Sequence, residues 1–273
     1  MSILERWFKP LTLISYADLA TLTSATLGFL AITYIIDGTT SSYIVALILL
    51  PISAIIDGMD GALARKFGTK HDYGKYLDSI SDSICFGIAP SILVYSLYYD
   101  IERGPALDIF DNNMQIGFKL DIENLVAISA SLMIALLSIF RLARFTMGEQ
   151  GSKKYFEGLP APGLTMFIVV VSIKYSSING INNVLVPIAI GIVSLLTVTT
   201  IPYAKARAGF RNPILFGILV LIATVILRFF DNDDMFSIGG YKLWETIWFA
   251  AFALYMSYFA LIPALIVKGT FDD

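Results

Sequence analysis

Apolar residues run along the chain in long continuous blocks, which short polar turns separate. The blocks cover roughly residues 17–37, 42–66, 75–99, 123–147, 161–179, 183–203, 213–230 and 243–268. Turn-forming stretches such as "DGTTSS", "NGINN", "FRNP" and "SIGGYK" lie between them. A continuous apolar run of about 20 residues is typical of a transmembrane helix, whereas a transmembrane barrel alternates apolar and polar positions. The pattern predicts an all-α, polytopic helical membrane protein with about eight transmembrane helices.

Composition agrees with this interpretation. The chain has 273 residues, of which 56% are hydrophobic and 15% charged, and its mean hydropathy is +0.73. A soluble chain has about 25% charged residues. The net charge of -3 disfavours a nucleic-acid partner. We expect a cytoplasmic juxtamembrane segment over 1–16 and a single transmembrane domain over 17–268.

Positive charge is distributed unevenly between the two sets of loops. One set carries 14 of the 19 lysines and arginines. These are Arg6, Lys9, Arg65, Lys66, Lys70, Lys75, Arg141, Arg144, Lys153, Lys154, Lys205, Arg207, Arg211 and Lys268. The positive-inside rule predicts that this side is cytoplasmic and that both termini lie there.

Four aspartates interrupt the second and third blocks, within the hairpin 55–90. Asp57 and Asp60 are three residues apart and Asp78 and Asp82 are four apart, so each pair shares one helix face. Asp57 lies about eight residues before the cytoplasmic end of its helix and Asp82 about eight after the start of the next, which at 1.5 Å per residue is roughly a dozen ångström. An antiparallel hairpin therefore directs four carboxylates at one point below the cytoplasmic surface.

Four carboxylates this close together need a counter-charge. Their oxygens suit Mg²⁺, Mn²⁺ or Ca²⁺, and two such ions are a common clamp for a pyrophosphate group. Gly58, Gly61 and Gly74 leave room for a ligand at the backbone, or else let the two helices pack closely. Arg65 suits a phosphate, although an arginine at this end of a span can also be a topology anchor.

Eight positions of the hairpin resemble the motif of the CDP-alcohol phosphotransferases. That motif consists of D-x-x-D-G-x-x-A-R and G-x-x-x-D-x-x-x-D, with eight residues between the two parts. They are Asp57, Asp60, Gly61, Ala64, Arg65, Gly74, Asp78 and Asp82. The resemblance implies that an alcohol hydroxyl attacks the β-phosphorus of a membrane-embedded CDP-lipid and that CMP leaves. It also implies that the four aspartates hold two divalent cations, Mg²⁺ or Mn²⁺ with Ca²⁺ as a further candidate. Asp82 would in addition be the general base.

The same resemblance implies a CDP-lipid site lined by Gly61, Ala64, Arg65 and Gly74. His71 stands where relatives often carry Ser or Thr, and it retains the ability to hydrogen-bond a phosphate. The stretch "ADLATLTS" takes the place of the family's PNxxTxxN, so we assign Asp18, Thr21 and Ser24 to the cytidine pocket.

A second stretch, "FRLARFTMGEQGSKKYFEGLPAPG" at 140–163, resembles the R-L-A-R-F-N…F-x-G-L-P-x-P pattern of the phosphatidylserine synthase branch, with Thr146 in place of Asn. The resemblance implies L-serine as acceptor and CDP-diacylglycerol or CDP-archaeol as donor. Serine is a zwitterion, so Arg144 and Arg141 are candidate partners for its carboxylate and Glu157 for its ammonium group. The alternative is that both arginines are topology anchors.

Three other functions remain as alternatives. The same chemistry could use glycerol phosphate, inositol phosphate or choline, although a phosphorylated acceptor would need a denser basic pocket. Aspartate-rich prenyltransferases split their acids between distant motifs, whereas these four fall in one hairpin. An ion-coupled transporter also uses intramembrane acids, but it has no need of the Gly-x-x-Ala-Arg element. Small residues in the spans would permit a homodimer.

Overall fold

The structure is a computed structural model, and it describes nine stretches of the chain. These are residues 14–67, 73–99, 122–147, 155–173, 182–204, 211–230, 237–238, 241–242 and 245–256. The expected juxtamembrane segment therefore lies almost entirely outside the described residues, and so does His71.

Eight helices make up most of the described residues, which confirms the predicted all-α fold. They are α1 (Tyr16–Asp37), α2 (Thr40–Phe67), α3 (Gly74–Tyr98), α4 (Ile122–Thr146), α5 (Ala161–Ile173), α6 (Asn182–Leu195), α7 (Arg211–Phe230) and α8 (Glu245–Met256). The first four are long and apolar enough to cross a membrane, and the other apolar helical stretches are shorter. The chain is an integral membrane protein.

Helix α1 has clear start and stop signals. The Ser15 side chain caps its N-terminus and the Asp18 carboxylate bonds back to Ser15, which together form a capping box. The helix ends at Gly38, whose φ of 70° is the left-handed conformation that favours glycine. Only Gly38 and Thr39 separate α1 from α2, so the two helices form an antiparallel pair and pack along much of their length.

Helix α3 contains an irregularity that the apolar pattern did not predict. It is α-helical over Gly74–Asp82, π-helical over Ser83–Ile88 and α-helical again over Ala89–Tyr98. The wider π turn begins immediately after Asp82. Such turns are rare and are frequently found at functional sites.

Two short antiparallel strand pairs complete the described fold. Strand β1 (Tyr155–Glu157) pairs with β2 (Pro202–Ala204), and β3 (Ser237–Ile238) pairs with β4 (Tyr241–Lys242). The apolar block predicted as a span over 183–203 ends earlier, because α6 tightens into a 3₁₀ turn over Leu196–Val198 and the chain then enters β2. Pro202 lacks the N–H that a continuing helix would need.

The hydrophobic core lies between α2, α3, α4 and α5. Its fully buried members include Leu50, Leu93, Ile134, Leu164 and Ile168. Large apolar side chains on the opposite faces of α1 and α4, such as Phe29 and Leu136, are exposed, as expected of helices that face lipid. This core and helix α1, which packs against both α2 and α3, together hold the two helices of the aspartate hairpin in place.

Candidate functional site

The two helices of the hairpin bring the predicted aspartates together. Asp57 and Asp60 project from α2, and Asp78 and Asp82 from α3. A carboxylate oxygen from each of Asp57, Asp60 and Asp78 lies within 4.8 Å of the other two. Asp82 stands outside that triplet but is a neighbour of Asp57 across the hairpin. All four side chains are half-buried. This cluster could hold a metal ion.

Two oxygen atoms of this cluster are buried. Among the described residues, neither Asp57 Oδ1 nor Asp82 Oδ1 has a hydrogen-bond partner. A buried carboxylate oxygen without donors is costly unless a positive charge compensates for it. The donor set consists only of carboxylate oxygens, which hard divalent cations prefer. The residues present therefore fit a divalent metal.

Helix α1 contributes a hydroxyl group to the cluster. Thr21 Oγ1 donates to Asp60 Oδ2 over 3.0 Å, and Thr21 is only 4% exposed. Asp18, which was also predicted to line the cytidine pocket, uses its Oδ2 to accept from the backbone N–H and the hydroxyl of Ser15 at 2.7 and 2.6 Å. Asp18 thus has a structural role at the start of α1, and its assignment to the cytidine pocket stays a prediction.

The glycines of the motif differ in their surroundings. A Cβ built at Gly58 meets no described atom within 4 Å, so close helix packing does not explain this glycine. A Cβ at Gly61 would lie 3.5 Å from Arg65 Nη1, which places the exposed Arg65 guanidinium beside Gly61. Ala64 and Gly74 are half-buried on either side of the hairpin. Open space therefore adjoins the acids next to an available guanidinium.

Three neighbouring helices hold the π turn that follows Asp82. The Cys85 thiol donates to Ser24 O of α1 over 3.1 Å and contacts Gly28, where a Cβ would come within 2.7 Å of Cys85 Sγ. Helix α5 reaches Phe86 O through the Thr165 hydroxyl, at 3.4 Å. Gly87 packs against α4. Sequence reasoning missed this support, for which the only signal was the small size of residues 28 and 87.

Arg141 makes cross-links within the acceptor stretch, the segment 140–163 that is predicted to contact the acceptor alcohol. It is 5% exposed, and its Nη1 donates to Glu157 O at 3.0 Å and to Thr197 O at 3.1 Å. The guanidinium also lies over the Phe145 ring, 4.4 Å from the ring centre. These contacts join α4 to β1 and to the end of α6. They give Arg141 a structural role that the sequence did not reveal, and its predicted contact with serine stays a prediction.

Arg144 and Glu157 face each other across the same stretch. Arg144 Nη2 lies 3.9 Å from Glu157 Oε2, too far for a hydrogen bond. That Nη2 is buried and has no hydrogen-bond partner in the part of the chain that the structure describes. The Thr146 hydroxyl bonds to the Ser79 hydroxyl, which attaches the end of α4 to α3 between Asp78 and Asp82.

The turn "GLPAP" is fixed by backbone contacts. Gly158 has a φ of 75°, and its N–H donates to Ile201 O at 2.8 Å. A Cβ there would lie 2.5 Å from Thr197 O, so the close approach requires glycine. Leu159 is fully buried, and Pro162 lies in the first turn of α5, where proline costs no hydrogen bond. Local backbone geometry therefore fixes this turn at the start of α5.

Comparison with known proteins agrees with the geometry. The family model described as CDP-alcohol phosphatidyltransferase matches residues 14–252. An archaetidylserine synthase of Methanothermobacter thermautotrophicus is 33% identical over 200 residues, which cover 72% of each chain. A CDP-diacylglycerol–serine O-phosphatidyltransferase of Helicobacter pylori is 29% identical over 237 residues, covering 85% of this chain and 90% of the relative. A protein of the same description from Methanocaldococcus jannaschii is 35% identical over 159 residues, covering 58% and 62%.

Proposed function

The chain belongs to the CDP-alcohol phosphatidyltransferase family, and we propose that it transfers the phosphatidyl or archaetidyl group of a CDP-lipid to the hydroxyl of L-serine, releasing CMP. Relatives described as archaetidylserine synthase and as serine O-phosphatidyltransferase support the serine acceptor. The observation that carries the chemistry is the cluster of half-buried aspartates, two of whose carboxylate oxygens are buried without a hydrogen-bond partner among the described residues.

Asp57, Asp60, Asp78 and Asp82 would hold two divalent cations, Mg²⁺ or Mn²⁺, with Ca²⁺ as a third candidate. When bound, such ions neutralise the pyrophosphate and the departing CMP. The open space beside Gly58 and the guanidinium of Arg65 beside Gly61 support a CDP-lipid site over this part of α2. Ala64 and Gly74 would line the same site, and His71, between α2 and α3 in sequence, would hydrogen-bond a phosphate.

In the reaction, the serine oxygen forms a bond to the β-phosphorus as the bond from that phosphorus to the CMP oxygen breaks. Asp82 Oδ1 is buried and without a partner among the described residues, so it can accept the serine hydroxyl proton. The phosphatidyl group is then on serine, the hydroxyl proton is on Asp82 and CMP is released, and no redox step is needed.

Serine would bind between Arg144 and Glu157. The buried Arg144 Nη2 has no hydrogen-bond partner among the described residues and suits the serine carboxylate, while Glu157 Oε2, 3.9 Å away, suits the ammonium group. A zwitterion satisfies both groups at once. The bond between Thr146 and Ser79 supports this placement, because it keeps the acceptor stretch beside the aspartates.

The active site would face the cytoplasm, with both termini on that side. The distribution of 14 of the 19 lysines and arginines supports this orientation. It would place the hairpin where water-soluble serine and the nucleotide of the lipid donor meet. A homodimer stays a prediction, which the mass of the purified protein in detergent would check.

The test of this function is CMP release by the purified protein from a CDP-lipid in the presence of Mg²⁺ or Mn²⁺. Serine, glycerol 3-phosphate, inositol 1-phosphate and choline are offered one at a time, with both CDP-diacylglycerol and CDP-archaeol as donors. We expect serine alone to stimulate release. Stimulation by another alcohol would keep the carboxylate chemistry and overturn the serine assignment, whereas no release with any acceptor would overturn both.

A further inference from the structure

Helix α1 presents buried hydroxyl groups to the aspartate hairpin. Thr21 and Ser24 are one turn apart and are 4% and 0% exposed, whereas Thr23 between them is exposed. A buried hydroxyl in an apolar span needs a partner. Besides a carbonyl of α1 itself, these two residues bond to α2 and α3, the helices that carry the aspartates. Helix α1 is therefore connected directly to both helices of the site.

Thr21 is bonded to both helices of the hairpin. Its hydroxyl lies 3.0 Å from Asp60 Oδ2 on α2. Its backbone carbonyl accepts from the Ser81 hydroxyl on α3 at 2.8 Å, and Ser81 is the residue before Asp82. Ser81 is 2% exposed, so this bond is as protected from solvent as the first. Thr21 therefore bonds to a carboxylate of α2 through its hydroxyl and to Ser81 of α3 through its backbone carbonyl.

One turn deeper, Ser24 repeats the arrangement without a carboxylate. Its hydroxyl donates to Ser53 O on α2 at 3.1 Å, and its carbonyl accepts from the Cys85 thiol on α3 at 3.1 Å. This second pair of bonds fixes the three helices relative to one another. The contrast indicates that the Thr21 pair has a local task, because only there does the hydroxyl end on a residue of the acid cluster.

The Thr21 hydroxyl has one proton and two acceptors in reach. Ala17 O, in its own helix, lies at 3.1 Å, and Asp60 Oδ2 lies at 3.0 Å. An ionised carboxylate is the stronger acceptor, because a bond to a charged group is roughly twice as strong as a neutral one. The bond to Asp60 is therefore the favoured one, and it fixes the rotation of that carboxylate. Partners of this kind orient metal ligands.

We propose that Thr21 is a positioning residue of the metal centre, which orients the Asp60 carboxylate through its hydroxyl and holds α3 beside Asp82 through its carbonyl. The inference rests on the proposed metal site. It replaces the sequence-based assignment of Thr21 to the cytidine pocket, since a side chain that is 4% exposed and bonded to Asp60 has little surface left for a nucleotide.

The experiment is a Mn²⁺ titration of the metal-free protein in detergent, followed by electron paramagnetic resonance, without CDP-lipid or serine. Thr21→Val removes the hydroxyl at nearly constant volume, and we expect it to weaken Mn²⁺ binding by about 10- to 100-fold. Thr21→Ser restores the hydroxyl and should bind close to wild type. The matched control is Thr23→Val on the same helix, where the residue is exposed and its hydroxyl donates to Leu19 O within α1.

Wild-type affinity in Thr21→Val would overturn the inference, and a selective rise in KM for the CDP-lipid would then restore the nucleotide assignment. Equal weakening in Thr21→Ser would also overturn it, because the hydroxyl would not be the responsible group. If Thr21→Val does not fold, Thr21→Ala takes its place, since alanine favours the helix. Absence of Mn²⁺ binding by the wild type would overturn the metal site and this inference together, independently of which alcohol is the acceptor.

Discussion

Replacing Gly28 by alanine tests whether the π turn after Asp82 depends on close packing against α1. The new methyl group would lie 2.7 Å from Cys85 Sγ, 3.0 Å from Cys85 Cα and 3.3 Å from Cys85 N. Rotation of the thiol would not relieve the overlap, because two of the three contacted atoms belong to the backbone of α3. The helix must therefore shift, and the shift begins three residues after Asp82.

The size of the effect follows from a comparison with Gly58→Ala. Both substitutions replace a helical glycine by alanine. This exchange alone stabilises the helix by about 1 kcal/mol in each case. Gly58 has open space around the new methyl group, so only the favourable change applies there. Overpacking at Gly28 costs about 1–3 kcal/mol. The difference between the two variants is therefore about 1–3 kcal/mol, with Gly28→Ala the less stable.

The assay is thermal unfolding of both variants in the same detergent, together with their turnover of CDP-lipid. We expect Gly28→Ala to unfold at a lower temperature than Gly58→Ala and to have a lower kcat than the wild type, because α3 carries Asp82. Exchanging Cys85 for alanine in the Gly28→Ala background should recover only part of the loss, since the contact with Cys85 Cα at 3.0 Å persists. Equal unfolding temperatures for the two glycine variants would refute the reasoning.

Three further predictions concern the site and its supports. Asp82→Asn should abolish turnover while CDP-lipid binding, measured by calorimetry, persists; near-normal turnover would remove Asp82 as the base. Arg144→Gln should raise KM for serine at least tenfold with little change in KM for the CDP-lipid, because a charged hydrogen bond contributes about 1.5–3 kcal/mol; steady-state kinetics with either substrate varied will decide. Gly158→Ala should lower the unfolding temperature, since its φ is 75° and a Cβ would lie 2.5 Å from Thr197 O; unchanged unfolding would contradict the tight turn.

The fold could be predicted from the sequence because its main signals are local. Continuous apolar runs predicted the long helices to within a few residues, and helix periodicity predicted that Asp57, Asp60, Asp78 and Asp82 would meet. The early end of α6 escaped prediction, because apolar residues recur as far as Ile201, beyond the 3₁₀ turn over Leu196–Val198 at which the helix ends before the chain pairs with β1. Apolar character alone does not separate a helix from a short buried strand.

The supports of the site depend on contacts between distant segments, so the sequence could not reveal them. The bond from Thr21 to Asp60 joins residues 39 apart, and the one from Arg141 to Thr197 O joins residues 56 apart. Residue type suggested ligand contacts for both, whereas the structure gives each of them a partner within the protein. The π turn is likewise a consequence of packing against α1, α4 and α5, for which no local pattern is diagnostic.

The most direct test of the central claim follows the phosphorus atom. The purified protein is given CDP-lipid labelled with ³²P in the β-phosphate, a divalent cation and serine, and the products are separated into organic and aqueous phases. The account predicts that the label moves into a new amine-containing lipid only when serine and the cation are both present, with unlabelled CMP in the water. Label in CMP or in inorganic phosphate, or a labelled product formed without serine, would contradict it.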